Sequence, residues 1–365
     1  MAQKTIAEAL RDALREEMIR DERVFCIGED IGIRGGWGGA FTVTLGLEKV
    51  SRERIIDTPI SENGLFGVAL GAAIMGLRPV ADVQYADFLF NAMDQIANHI
   101  PKMRYMSGGK IRVPLVMRAP VGATGRGAQH AQNLEATFLT IPGIKIVCPA
   151  TAYDAKGLLK AAIRDDNPVL VFEHKLLYGA KGARAESGAV DASSDIPDED
   201  YIVPIGKGIV RREGTDVTIV GTLLMMHLAL QAADRLARQG ISAEVIDPRS
   251  LVPFDWELLE KSVRKTTRLV VVAEGPKTGG IGSEIAATVA ERMMDYLTAP
   301  IQRVASPDIP VPFAPVMEDF YRPDVGRICA AAASTMGIEM PTESIRVNGA
   351  SVTVGGRSSS DESPE

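Results

Sequence analysis

Short apolar runs alternate with longer amphipathic stretches along nearly the whole chain, and this rhythm constrains the fold more than any other feature. Val24-Phe25-Cys26-Ile27, Arg54-Ile55-Ile56, Pro79 to Tyr85, Val113 to Arg118, Lys145 to Cys148 and Val169 to Glu173 read as strands. Ile6 to Met18, Asn63 to Met75, Phe88 to Arg104, Leu134 to Thr140 and Ala152 to Arg164 read as helices. Apolar strands alternating with helices argue for a parallel sheet covered on both faces. The alternation stops between Gly179 and Pro204, where Gly, Ala, Ser, Asp and Pro dominate, as in a connection. It then resumes with strands at Asp216 to Val220, Ser242 to Ile246, Leu269 to Ala273 and Ile301 to Ala305. The helices of this second block are Met225 to Arg238, one opened by Pro253-Phe254-Asp255, Ser283 to Met294 and Val325 to Met336. The fold class is therefore α/β, with two parallel-sheet domains at 1–180 and 205–337 and a linker at 181–204. The polar stretch 338–365 is expected to be a disordered tail.

Composition excludes several functions. With 365 residues, 46% of them hydrophobic, there is apolar material for two cores. A net charge of −7 argues against a nucleic-acid partner. No apolar run reaches the length of a membrane span. Glu8, Asp12, Glu16 and Glu17 interrupt any signal-peptide pattern. Cys26, Cys148 and Cys329 are widely spaced and make neither a metal pattern nor a disulfide framework. Buried thiols in a reducing compartment, the cytoplasm, are the expectation.

One stretch concentrates chemistry. Asp57-Thr58-Pro59-Ile60-Ser61-Glu62-Asn63-Gly64 puts a carboxylate between a strand and a helix. An acid at a helix start is favoured by the helix dipole alone. It is also where parallel sheets bind ligands, outside the carboxyl ends of the strands. Gly64, Gly67, Gly71 and Gly76 follow, allowing a helix to approach a neighbour or a ligand closely. His130 lies in a loop-like run, Gly125-Arg126-Gly127-Ala128-Gln129-His130, and an imidazole there can donate to a substrate oxygen or shuttle a proton. His99, His174 and His227 lack a comparable context, although His174 follows a strand and could approach the site. Gly279-Gly280-Ile281-Gly282 does not have the spacing of a dinucleotide cradle.

In order along the chain, Asp57 to Glu62, Gly76-Leu77-Arg78-Pro79-Val80, Asp94-Gln95-Ile96, Met106-Ser107-Gly108-Gly109, Gln129-His130-Ala131-Gln132, Pro142-Gly143-Ile144-Lys145, Tyr153 to Leu158 and Ala162 to Pro168 closely resemble the beta subunits of thiamine diphosphate-dependent 2-oxoacid and acetoin dehydrogenases. These belong to the transketolase-like superfamily, and the likeness spans roughly residues 3 to 336. The resemblance implies a pyrimidine-binding domain followed by a transketolase C-terminal-like domain. It implies that Glu62 faces the aminopyrimidine ring of thiamine diphosphate, favouring the imino tautomer and so the ylid that serves as electron sink. Burial would help this acid hold a proton for the ring nitrogen. Phe88 matches the aromatic that packs on the pyrimidine, and Tyr85, three residues earlier, is expected to line the same pocket. His130 matches the active-site histidine, which assists substrate binding or acyl transfer to a lipoyl group; Ala131 stands where many relatives have serine, removing a hydroxyl. Leu115, Ala162, Ile163, Asp165 and Asn167 match positions that hold a potassium ion in several relatives, mostly through backbone carbonyls.

The Gly-Asp-Gly and distant Asn that hold the diphosphate through magnesium are absent from the sequence. By the resemblance, an alpha subunit supplies them. The implied assembly is two alpha plus two beta chains, docked on a lipoyl acyltransferase core. Pyruvate is the default substrate, acetoin the runner-up and branched-chain 2-oxoacids third. A non-catalytic scaffold is disfavoured by intact Glu62, Phe88 and His130, and a self-sufficient transketolase-type enzyme by the missing diphosphate motif.

Overall fold

The computed structural model describes residues 2–32, 38–39, 41–179, 188–340, 345–347 and 350–352. The elements of the first block are β1 (Ala2–Lys4), α1 (Ile6–Arg20), β2 (Val24–Gly28), β3 (Ile55–Asp57), α2 (Glu62–Ile74), β4 (Arg78–Asp82), α3 (Met103–Met106), β5 (Val116–Val121), α4 (Glu135–Leu139), β6 (Lys145–Val147), α5 (Ala152–Arg164), β7 (Val169–His174) and β8 (Ser194–Ile196). Those of the second are β9 (Ile209–Arg212), β10 (Val217–Gly221), α6 (Leu224–Ala237), β11 (Ala243–Asp247), β12 (Ser250–Val252), α7 (Trp256–Thr266), β13 (Leu269–Pro276), α8 (Ile281–Met293), β14 (Gln302–Ser306), α9 (Pro315–Tyr321), α10 (Val325–Ser334), β15 (Ile345–Val347) and β16 (Ala350–Val352).

Helix starts follow local chemistry. Thr5 and Glu8 form a reciprocal capping box at α1, with the Thr5 amide donating to the Glu8 carboxylate at 2.8 Å. Thr151 caps α5 by accepting from the Asp154 amide at 3.2 Å. The two helices pack on each other.

Among the described residues the first sheet has the order β12-β6-β7-β5-β4-β2-β3 and the second β14-β13-β10-β11-β9. Each is parallel except at one edge, where β12 runs against β6 and β9 against β11. The strands β2, β5 and β7 are buried throughout, as expected of strands covered on both faces. The antiparallel edge strands were not legible as strands in the sequence. β12 comes from the C-terminal block, so the two halves share a sheet edge. An ion pair adds to this, Arg249 reaching Asp154 of α5 at 2.6 Å.

Several expectations are corrected. Phe88 to Arg104 is not one helix. It divides into a 3₁₀ turn at Ala86–Ala92, a π-helical turn at Asp94–His99 and α3. Pro101 cannot donate a helical hydrogen bond, and the Ile100 amide reaches back five residues to Gln95 at 2.8 Å. Part of the expected linker is β8, which pairs with β1; residues 180–187 lie outside the described residues. In the stretch expected to be disordered, β15 and β16 form an antiparallel pair, and the remainder beyond residue 340 lies outside the described residues. So do residues 33–37 of the early glycine-rich loop. All three cysteines are buried, and burial pushes the Cys26 thiol up to about 12. No helix among the described residues is long and apolar enough to cross a membrane.

Candidate active site at the carboxyl end of the first sheet

β3 ends at Asp57, and after a short turn Glu62 is the first residue of α2. Its neighbours Asn63 and Gly64 face outward, whereas Glu62 is only 6% exposed. The Asn91 side-chain amide donates to its Oε2 at 3.3 Å. Glu29, just past the end of β2, lies under the same turn and accepts from the Ser61 amide at 3.2 Å. Burial, then the charge of Glu62, pushes the Glu29 carboxyl above its ordinary value. Glu29 escaped the sequence reading. The available signal was its position at the end of an apolar strand adjacent to β3.

The 3₁₀ turn Ala86–Ala92 joins the other site residues to Glu62. Asn91 on this turn reaches Glu62, while Phe88 on the same turn meets His130 edge to face at 5.3 Å. Tyr85, the residue before the turn, packs edge to face on Phe88 at 5.8 Å and on His130 at 5.2 Å. Glu62, Tyr85, Phe88 and His130 are thus brought together around one short element.

The loop carrying His130 follows β5 and is braced from the second sheet. His174, the last residue of β7, accepts from the Leu176 amide through Nδ1 at 3.2 Å, which places its proton on Nε2. Nε2 donates to Glu274 of β13 at 2.8 Å, and the other Glu274 oxygen accepts from the Ala123 amide at 2.7 Å. Burial alone would raise the Glu274 carboxyl, but the His174 imidazole and the Ala123 amide hold it below its ordinary value. The residue after β5, Gly122, has φ +107°, and an added Cβ would sit 2.2 Å from His174 Nε2. His174 therefore supports the site from behind.

A second buried chain backs the aromatic wall. Arg118 is 1% exposed and holds Glu173 through two hydrogen bonds of 2.8 and 2.6 Å, and also pairs with Asp82. Tyr178 donates to Glu173 at 2.5 Å and stacks on Phe41 at 4.5 Å, and Phe41 meets the edge of Tyr85.

Leu115, Ala162, Ile163, Asp165 and Asn167 also converge, at the opposite, amino end of β5 and β7. The Leu115 carbonyl accepts from the Val169 amide at 2.9 Å, and that of Ala162 from the Asp165 amide at 3.2 Å. Arg78 donates to the Ile163 and Asp165 carbonyls at 2.9 and 3.0 Å. Each carbonyl keeps a second lone pair with which to meet a cation, although the guanidinium already brings positive charge. Among the described residues no group of three or more His, Cys, Asp and Glu side chains could hold a metal ion. Beside the glycine-rich loop Gly279 to Gly282, Thr278 donates its amide at 3.0 Å and its hydroxyl at 2.6 Å to Asp308, which follows β14, so a carboxylate already stands against that loop.

Residues 2–181 match the family described as transketolase, pyrimidine binding domain, and residues 206–328 match transketolase, C-terminal domain. The chain is 45% identical over 334 residues to the 2-oxoisovalerate dehydrogenase subunit beta of Bacillus subtilis (strain 168), covering 91% of this chain and 98% of that one. It is 45% identical over 345 residues to the acetoin:2,6-dichlorophenolindophenol oxidoreductase subunit beta of Cupriavidus necator, covering 92% and 98%. It is 46% identical over 330 residues to the mitochondrial pyruvate dehydrogenase E1 component subunit beta-2 of Oryza sativa subsp. japonica, covering 90% and 85%. Among solved structures, a split gene transketolase, described as an inactive beta4 tetramer, superposes with a TM-score of 0.73 at 26% identity, covering 93% of this chain and all of that one.

Proposed function

The chain belongs to the family of beta subunits of 2-oxoacid, pyruvate and acetoin dehydrogenases, and on that premise we propose that it supplies the pyrimidine side of a thiamine diphosphate site completed by an alpha subunit. The observation that carries the reading is the 3₁₀ turn linking buried Glu62, through Asn91, to His130, through Phe88. A buried carboxylate with one long hydrogen bond keeps acceptor capacity for a ring nitrogen, and Phe88 and Tyr85 offer flat apolar surfaces for a ring. The residues therefore fit that half of the cofactor. When bound, thiamine diphosphate supplies an electron sink for cleavage next to a carbonyl. Glu62 would share a proton with the ring nitrogen, with Asn91 orienting its carboxylate. Phe88 and Tyr85 would pack on the ring and exclude water, and His130 would move a proton at a substrate oxygen.

The diphosphate and its magnesium go to the alpha subunit, since the sequence lacks their motif. Exposed apolar side chains on and around α2, Ile60 at 82%, Val68 at 60% and Met75 at 82%, support a covered interface there. The proposed assembly is two alpha plus two beta chains, delivering an acyl group to the lipoyl groups of an acyltransferase core in the cytoplasm. The carbonyl turn at Leu115, Ala162, Ile163, Asp165 and Asn167 is proposed as a potassium site.

Pyruvate is the proposed substrate. Identities of 45–46% to pyruvate dehydrogenase beta subunits from several organisms support that choice. Acetoin, which yields the same two-carbon unit, is the second reading, favoured by the near-equal identity to an acetoin-enzyme subunit. The test is to assemble the chain with its alpha partner and offer pyruvate, acetoin and 2-oxoisovalerate with a dye acceptor. Fastest turnover of pyruvate is expected. Faster turnover of acetoin or 2-oxoisovalerate overturns the substrate alone, and no turnover of any overturns the function.

A further inference from the structure

What holds His130 in place is itself charged. Lys175, directly after β7, is 2% exposed. Its ammonium donates to the backbone oxygen of His130 and lies 4.9 Å from the centroid of the Tyr85 ring. From the other side comes Asp87, on the turn that also carries Phe88. Its carboxylate, 7% exposed, accepts from the Gln132 amide at 3.3 Å and from the Gln132 side chain at 2.7 Å. The segment His130–Gln132 is therefore fixed at its first carbonyl by a cation and at its last N–H by an anion. Between the two anchors, the imidazole packs against Tyr85 and Phe88.

Burying a lysine here is costly. An apolar side chain of similar length would fill the space without the cost of removing an ammonium from water. The ammonium is directed to the backbone of the one loop residue whose ring faces the aromatic pair. The next residue, Ala131, is 1% exposed and has no polar side chain with which to fix the loop.

We propose that Lys175 is a positioning residue for His130, with Asp87 as the opposing anchor. This rests on the reading of His130 as the group that faces substrate. Misplacing a reacting group by about 1 Å can cost about 10²-fold in rate. In the assembled alpha–beta complex, K175M should lower kcat by about 10²-fold with KM for the substrate nearly unchanged. K175R, which keeps the charge and a donor, should recover most of that loss. Groups that act as a unit are non-additive, so K175M should cost nothing further in an H130A background. Melting temperatures report whether each variant folds. If K175M does not assemble, K175Q against K175R carries the test, with Gln slow and Arg near wild type. Wild-type turnover by the neutral variant, a loss confined to KM, or a double variant showing the product of both single losses would overturn the proposal. Wild-type turnover by H130A would instead remove the reading of His130, and this inference with it.

Discussion

A glutamate at the first position of a helix is ordinary, because the helix dipole favours it at the surface. Glu62 is set apart by its burial and by the side chains that converge on it from β2 and from the turn after β4. If it shares a proton with the cofactor ring, E62Q in the assembled complex should lower kcat by about 10²–10⁴-fold, while melting stays at the wild-type temperature. Unchanged turnover would favour a non-catalytic scaffold. Glu135, at the start of α4, makes a separate prediction. Burial, opposed by its own backbone amide and reinforced by the charge of Glu274, pushes its carboxyl up to about 7 from an ordinary value of 4.5. Because the folded state holds this proton more tightly than the unfolded chain, its contribution to stability is full below about pH 4.5 and is lost as pH rises through about 7. Denaturant unfolding should therefore show a fall on the order of 3 kcal/mol across that window. E135Q should flatten it; an equally steep fall in E135Q would place the effect elsewhere. At this scale Glu62 and His130 stood out because each sat inside a motif, whereas Phe88 lay between motifs and entered through the resemblance; the structure brings the three together around one turn. Glu29, His174, Glu274 and Lys175 were not legible in their roles. Their partners lie across strand ends or in the other sheet, as with His174 and Glu274, which meet across one hundred positions of chain.

Among the elements, the segment after β4 shows why periodicity misled. Its apolar spacing reads as helix, yet Pro101 and the close aromatic packing divide it into a 3₁₀ turn, a π-helical turn and a short α-helix. Phe88 and Asn91 both lie on the 3₁₀ turn, where one meets His130 and the other Glu62. The loop after β5 depends on Gly122 for its positive φ and its contact with His174. Replacement by alanine should destabilise the protein by about 1–3 kcal/mol and slow turnover, since it pushes on the loop's brace. A G122A variant melting like wild type would show that the brace yields easily. The carbonyl turn at the amino ends of β5 and β7 is predicted to bind potassium. Melting should rise with potassium chloride and not with an equal concentration of sodium chloride; equal effects would mean that Arg78 alone holds the turn.

In the whole molecule, the two parallel sheets were readable from the alternation of strands and helices, but their connection was not. Three-residue β12 carries no periodic signal, and only the fold shows it closing the edge of the first sheet from within the C-terminal block. The clasp of His174 with Glu274 and the pair of Arg249 with Asp154 add to that joint, so the second domain braces the loop of the first. What the chain lacks is as informative as what it holds: a buried carboxylate beside an aromatic wall, without the Gly-Asp-Gly motif for a diphosphate. The central claim is that this is half of a site. It is tested most directly by titrating thiamine diphosphate with magnesium into the isolated chain, and into the chain assembled with its alpha partner, by calorimetry. The account predicts no binding heat for the chain alone and saturable binding, one cofactor per alpha–beta pair, for the assembly. Tight binding by the isolated chain would contradict it.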